Sequence, residues 1–135
     1  MSPTWLVDAG PLIALVLRTD QDHVVCAKTA ASIPGPLMTT WPVLTEVVHV
    51  LGAIRNQDAI LEMVERGSLQ ILALDAGDVP RVRTLMRKYA ARPMDLADAT
   101  LVRVAERESI YRIFTLDADF RVYRIGRQQA FTVAP

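Results

Sequence analysis

Four acidic side chains adjoin apolar segments that should form strands or core-facing helices, namely Asp8, Glu46, Asp98 and Asp117. Asp8 and Asp117 each follow directly after an apolar run, whereas Glu46 and Asp98 lie inside one. Carboxylates are rarely buried unless they are paired or bind a metal ion. Four carboxylates in such surroundings therefore predict one shared site for a hard cation.

The other possible metal ligands are sparse, and this decides which metal the site should prefer. His23 and His49 lie far apart in the sequence, and Cys26 is the one cysteine. Carboxylate oxygens without histidine or cysteine suit Mg²⁺ or Mn²⁺ rather than Zn²⁺. Such an ion can lower the pKa of a bound water and offset the charge on a phosphodiester. The four acids therefore predict hydrolysis of a nucleic-acid backbone by a metal-activated water.

Glu46 interrupts the apolar face of its predicted helix. Val43 precedes it by three residues and Val50 follows it by four, so the carboxylate should lie on an apolar stripe. A structural glutamate normally faces water. The pattern therefore predicts that Glu46 belongs to the metal site.

Three further residues are predicted to support this site, each with an alternative role. Asp95 either caps the helix that carries Asp98 or contacts the metal site from outside. Thr115 could hydrogen-bond a metal-bound water or a phosphate, and Asp119 is either a fifth acid or a turn-forming residue. Trp5 and Trp41 are expected to pack in the core or at its edge rather than to stack on bases.

Short strands alternate with longer helices along the chain, which predicts an α/β fold with a mainly parallel sheet. The predicted strands cover residues 4–7, 37–39, 69–72, 112–116 and 130–133. The predicted helices cover residues 10–17, 22–32, 40–51, 56–65, 78–89 and 95–108. In open α/β sheets, ligands bind outside the carboxyl ends of the strands. Asp8 and Asp117 are both predicted to lie at such ends.

The net charge of the 135-residue chain is zero, but its two halves differ. Residues 1–80 carry four basic and nine acidic side chains, and residues 81–135 carry eleven basic and six acidic ones. Such a basic half can supply the phosphate contacts of a nucleic-acid interface. The predicted RNA-backbone contacts are Arg87, Lys88, Arg92, Arg121 and Arg124.

Length and hydropathy predict one domain covering residues 1–135, with a hydrophobic core of its own. The first residues lack the basic and apolar pattern of a signal peptide. The apolar run at 11–17 is too short to span a bilayer. We therefore expect a soluble, cytoplasmic protein with no membrane contact.

Four segments together resemble the PIN domain family and, within it, the VapC-type ribonuclease toxins of type II toxin–antitoxin modules. They cover residues 6–12, 40–46, 93–99 and 115–120, and the resemblance extends over nearly the whole chain. It implies a three-layer sandwich in which helices flank a central, mainly parallel sheet. It also implies a Mg²⁺- or Mn²⁺-dependent endoribonuclease in which the first three acids match Asp8, Glu46 and Asp98. The fourth acid matches Asp117, with Asp119 as the adjacent candidate.

The same resemblance implies two protein partners, a second copy of the chain in a homodimer and a small cognate antitoxin that covers the active site. The apolar segments 12–17 and 43–51 could form a groove for a partner or could belong to the core. Many relatives have a hydroxyl residue after the first aspartate, whereas this chain has Ala9 and Gly10. The alternative to an enzyme is a non-catalytic PIN-like module that binds RNA or a protein.

Overall fold

The computed structural model describes residues 3–135 and contains a central sheet of five parallel strands. The strands of this sheet are β1 (Trp5–Val7), β2 (Leu37–Thr39), β3 (Leu69–Ile71), β4 (Arg112–Phe114) and β7 (Thr132–Ala134). Their order is β3-β2-β1-β4-β7, so β1 lies in the middle, with Leu6 opposite Met38 on one side and Ile113 on the other. A separate antiparallel pair consists of β5 (Arg124–Ile125) and β6 (Gln129–Ala130).

Six helices connect and flank the strands, which confirms the predicted α/β sandwich. They are α1 (Ala9–Val16), α2 (His23–Ser32), α3 (Trp41–Leu51), α4 (Ile54–Arg66), α5 (Val79–Lys88) and α6 (Leu96–Glu108). Two 3-10 turns, at Ala76–Asp78 and Ala118–Arg121, precede α5 and follow β4. Because helices cover the sheet, its central strands are apolar on both faces, and Leu6, Val7, Ile113 and Phe114 are fully buried.

The last predicted strand, residues 130–133, is wrong in its bounds. The chain forms β6 at Gln129–Ala130 and then β7 at Thr132–Ala134, so the predicted run spans parts of two strands. Phe131 lies between them and its side chain is buried. The apolar pattern located the segment but gave no signal for the change of sheet.

Several basic residues of the second half are used inside the fold rather than left on its surface. Arg81 of α5 makes two hydrogen bonds to Glu106 of α6, at 2.8 and 2.7 Å. Asp78, 5% exposed, accepts hydrogen bonds from Arg103 at 2.7 Å and Arg107 at 3.1 Å. These ion pairs join α5 and its preceding turn to α6. The predicted basic surface is correspondingly smaller than the sequence suggested.

Two predicted helices begin where they were expected, although the side chains of the residues before them do not cap these helices. Helix α3 follows Thr40, whose hydroxyl pairs with that of Thr100 on α6 at 2.8 Å. Helix α5 follows Asp78, whose carboxylate accepts from the backbone N–H of Asp75 as well as from the arginines.

Among residues 3–135 there is no helix of the length and apolarity that crossing a membrane would require.

Candidate metal centre

Asp8 is fixed at the carboxyl end of the central strand β1. Its side chain caps α1 by accepting a 2.8 Å hydrogen bond from the Ala9 N–H, and its own N–H donates to the Phe114 carbonyl of β4. The residue is only 7% exposed. The strand and the helix that follows it therefore hold this carboxylate at the edge of the sheet where the sequence predicted it.

Thr115 joins Asp8 to Asp117. Its hydroxyl donates to Asp8 Oδ2 at 2.8 Å and accepts from the Asp117 N–H at 3.0 Å. Thr115 thus supports the cluster through a carboxylate, and its predicted contact with a metal-bound water or a phosphate stays a prediction. The hydroxyl that the sequence lacks directly after Asp8 is supplied to that aspartate from the neighbouring strand end.

Asp98 reaches the same place from the first turn of α6. The Asp95 side chain caps this helix by accepting a 2.8 Å hydrogen bond from the Asp98 N–H, in agreement with one of its two predicted roles. Asp98 is 9% exposed, and its Oδ2 accepts a hydrogen bond from the Tyr123 hydroxyl at 3.2 Å. Tyr123 was not singled out from the sequence, because an aromatic residue in an apolar segment predicts only core packing.

Asp8, Asp98 and Asp117 form an acidic cluster. Each offers a carboxylate oxygen, and these three oxygens lie within 4.8 Å of one another. A pocket of about 290 Å³ opens onto the cluster and is also lined by Glu46 and Asp95. Converging carboxylate oxygens on an open pocket are a donor set that suits Mg²⁺ or Mn²⁺, which keep several waters.

Glu46 lies at the mouth of this pocket rather than on a buried stripe. Val43 is fully buried, but Glu46 is exposed and Val50 is 53% exposed. The predicted apolar stripe through Val43 and Val50 is therefore wrong, because α3 turns Val50 away from the core. Glu46 lines the pocket but is not one of the three acids whose oxygens lie within 4.8 Å of one another, so its place in a metal site stays a prediction.

The electrostatics of the pocket fit a cation. Burial and the nearby charges of Asp95, Asp8 and Asp117 raise the pKa of Asp98 to about 8. Burial is also the main cause that raises the pKa of Asp8 and of Glu46, in each case with added repulsion from neighbouring carboxylates. A divalent cation would reverse this repulsion, because it favours the charged form of every carboxylate around it.

Asp119 and Arg92 lie beside the cluster and pair with each other. The Arg92 guanidinium donates to Asp119 Oδ1 at 3.1 Å, while the Asp119 N–H donates to Asp117 Oδ1 at 2.9 Å. Asp117 is therefore a member of the acidic cluster, whereas Asp119 lies next to the cluster and is not a member of it. The hydrogen bond from Asp119 orients the Asp117 carboxylate.

The predicted RNA contacts differ in what their side chains do. Arg121 is exposed and lines a cavity of about 200 Å³ together with Thr115 and Asp117. Arg124 is half-buried, and its Nη1 donates to three backbone carbonyls of residues 121–123 at 2.9 to 3.1 Å. Arg87 and Lys88 are exposed at the end of α5. Arg121 therefore lies beside Asp117 of the acidic cluster.

A second, apolar groove adjoins the acidic pocket. Trp41, Pro42, His49 and Leu96 are among its lining residues, and Glu46 and Asp95 line both the groove and the pocket. Trp41 is 58% exposed, so its predicted core or edge packing is wrong, whereas Trp5 does pack against the core. The groove gives α3 an open apolar face directly beside the carboxylates.

Comparison with known families places this fold and site in a class. The PIN domain model matches residues 5–126. The chain therefore belongs to the PIN domain family, as its four motifs predicted.

Three known proteins that resemble this chain are a VapC ribonuclease, a VapC toxin and a VapBC complex. The chain is 24% identical over 134 residues to Ribonuclease VapC26 of Mycobacterium tuberculosis (strain ATCC 25618 / H37Rv), covering 96% of this chain and 99% of that protein. The crystal structure of Mycobacterium tuberculosis VapC20, a sarcin-ricin loop cleaving toxin, superposes with a TM-score of 0.81 at 21% identity, covering 88% of this chain and 94% of that one. VapBC2 from Rickettsia felis, bound to a DNA fragment from their promoter, gives a TM-score of 0.66 at 12% identity, covering 98% and 99%. These two structural likenesses support the fold.

Proposed function

We propose that this protein is a metal-dependent endoribonuclease toxin of the VapC type that hydrolyses RNA phosphodiesters. The acidic cluster of Asp8, Asp98 and Asp117 is the observation that carries the proposal, and the resemblance to Ribonuclease VapC26 supports the reaction class. These three residues, with Glu46 at the pocket mouth, would hold Mg²⁺ or Mn²⁺. The ion supplies a water of lowered pKa and offsets charge on the phosphodiester.

The chain's own residues prepare the site before the ion binds. Thr115 and the Ala9 N–H each donate to one oxygen of Asp8, which fixes the plane of that carboxylate. Asp98 has to lose a proton in order to bind a cation, because its pKa is raised to about 8. Glu46 is exposed, so its carboxylate can move to complete the ligand set from the rim.

Phosphates of the RNA would be held beside the acidic cluster by basic side chains. We assign this role to Arg121, which faces the cavity next to Asp117, and to Arg92, which lies one ion pair away from it. Arg87 and Lys88 extend the basic surface along the end of α5. We do not assign Arg124, because backbone carbonyls already occupy its Nη1.

Two partners are part of this proposal, a homodimeric second copy and a cognate antitoxin. The apolar groove at Trp41 supports the antitoxin, because a protein segment bound there would extend over Glu46 and Asp95 and cover the acidic pocket. A purified toxin–antitoxin complex should therefore not cleave RNA, and Trp41→Ala should weaken the complex. Sedimentation of the toxin alone tests the dimer.

The deciding experiment is cleavage of a mixed pool of structured RNAs, with ribosomal RNA included because VapC20 is named for cleaving the sarcin-ricin loop. The purified protein is assayed with Mn²⁺ or Mg²⁺, with EDTA, and as the Asp98→Asn variant. Asp58→Asn, at an exposed position of α4, is the matched control for loss of a carboxylate. We expect EDTA and Asp98→Asn to abolish cleavage and Asp58→Asn to retain it.

A comparison of Asp117→Asn with Asp119→Asn identifies the fourth acid, and we expect the larger loss from Asp117→Asn. Cleavage that survives EDTA would exclude a metal-dependent reaction. If the purified protein bound neither Mg²⁺ nor Mn²⁺, the enzyme proposal would be excluded and a non-catalytic PIN-like module would be favoured.

A further inference from the structure

Asp98 has a hydrogen-bond partner that is not a carboxylate and lies behind the acidic cluster. The Tyr123 hydroxyl donates to Asp98 Oδ2 at 3.2 Å, and Tyr123 is fully buried. Within residues 3–135, the hydrogen bond to the Asp98 carboxylate is at Oδ2, which leaves Oδ1 for a ligand, and Asp98 lines the acidic pocket. We propose that Tyr123 is a positioning residue that orients Asp98 toward the metal ion. This inference rests on the proposed function.

The Tyr123 ring is held from several sides, so its hydroxyl has little freedom. Its ring lies edge-to-face against Tyr89, with centroids 4.9 Å apart, and against Phe120 at 5.1 Å. Phe120 packs in turn against Phe131 at 5.6 Å. The Tyr123 N–H donates to the Asp119 carbonyl at 3.0 Å, which ties the backbone to the 3-10 turn. Edge-to-face aromatic packing stabilises such a pair beyond what burial alone contributes.

A carboxylate without such a partner would be poorly defined in its orientation. The terminal torsion of an aspartate side chain has a broad, roughly two-fold distribution, so either oxygen can face the pocket. A donor on one oxygen selects one orientation, and the free oxygen is then aimed before the ion arrives. Residues that hydrogen-bond to a metal ligand commonly increase metal affinity by roughly 10–100-fold.

One short segment of the chain therefore orders all three members of the acidic cluster. Within residues 115–123, Thr115 donates to Asp8, Asp117 contributes its own carboxylate, and Tyr123 donates to Asp98. The 3-10 turn at Ala118–Arg121 connects these positions and begins at Asp117, whose side chain accepts the Asp119 N–H. This continuity makes Tyr123 part of the site, although it would act on a bound ion only through Asp98.

The test compares Tyr123→Phe with Tyr89→Phe in the full chain. Both substitutions remove one hydroxyl from the same aromatic group, but the Tyr89 hydroxyl accepts from the Arg124 backbone N–H and contacts no carboxylate of the cluster. Mn²⁺ affinity is measured from the electron paramagnetic resonance signal of free Mn²⁺ and by calorimetry. We expect Tyr123→Phe to weaken Mn²⁺ binding about tenfold or more, and Tyr89→Phe to leave it unchanged.

Equal Mn²⁺ affinity in Tyr123→Phe and the wild type would overturn the positioning role while leaving the nuclease proposal intact. An equal loss in Tyr89→Phe would also overturn it, because packing rather than the hydroxyl would then control the metal. A wild-type protein that binds no Mn²⁺ would remove both proposals. Proton NMR of the wild type adds a test without substitution, in which we expect slow exchange of the Tyr123 hydroxyl proton with and without Mg²⁺. Fast exchange in either state would contradict the hydrogen bond.

Discussion

The affinity of the acidic cluster for Mn²⁺ should depend strongly on pH, because Asp98 must lose a proton before it can bind a cation. The pKa of this residue is raised to about 8, chiefly by burial and then by the charges of Asp95, Asp8 and Asp117. At pH 7 the metal-free site is therefore mostly protonated at Asp98. Metal binding and proton release are one linked equilibrium.

The loss of Mn²⁺ affinity at low pH depends on the difference between the assay pH and the pKa of Asp98. One pH unit below the pKa, about nine in ten Asp98 side chains are protonated, and removing that proton costs about 1.4 kcal/mol. The apparent Kd for Mn²⁺ should thus rise at least about tenfold for each pH unit below 8. At pH 7 about one proton should be released from Asp98 for each Mn²⁺ bound, and any proton held by Asp8 or Glu46, whose pKa values are also raised, adds to that number.

Calorimetric titrations between about pH 6 and pH 9, in buffers that differ in ionisation enthalpy, measure both quantities. Asp95→Asn is the matched variant, because asparagine also caps a helix N-terminus and only the charge is lost. Removing that charge lowers the pKa of Asp98, so the pH profile of the variant should move to lower pH. An affinity that does not vary between pH 6 and 8, or binding without proton release, would refute this account of the site.

Three further predictions concern stability and substrate binding. The metal-free protein should lose stability as pH rises from about 4 to 8, by about 1 kcal/mol per pH unit from Asp98 alone, because this residue keeps its proton only when folded. Urea denaturation at several pH values tests this, and saturating Mg²⁺ should reduce the slope. Asp78→Ala should lower the free energy of unfolding by about 3 kcal/mol, because it leaves two partly buried arginines without their carboxylate; an unchanged urea midpoint would contradict this. Arg121→Ala should raise the KM for RNA cleavage and reduce its dependence on salt, whereas Arg83→Ala, at an exposed position of α5, should change neither.

The fold was predictable because its determinants are local in the sequence. The apolar runs that became β1, β2, β3 and β4 are bounded by turn-forming or polar residues, and the helices between them begin and end within a few residues of the predicted bounds. Parallel strands need such helical connections, so alternation alone indicated the sheet. Only the final segment misled, because a short run gives no information on which strand it will pair with.

The acidic cluster was predictable for the same reason, whereas the hydrogen bonds that support it were predicted only in part. Asp8 and Asp117 follow strands, so the sheet brings them together, and Asp98 lies one helical turn into α6. Helical periodicity predicted that Glu46 lies on a buried apolar stripe. Periodicity shows which residues share a face of α3, but not whether the rest of the protein covers that face. Thr115 was predicted to support the site, but its hydrogen bond to Asp8 was not, and Tyr123 was not singled out at all, because each hydrogen bond depends on tertiary placement.

The hydrogen bond between Thr115 and Asp8 joins residues that are 107 positions apart in the chain. During synthesis the N-terminal part of a protein emerges and begins to fold first. Asp8 is therefore made early, but the segment that orders it and completes the acidic cluster follows only when translation has passed residue 123. Under the proposed function, a chain released early would carry Asp8 and Glu46 and still be harmless to RNA. Only chains that extend beyond residue 123 would then act on RNA.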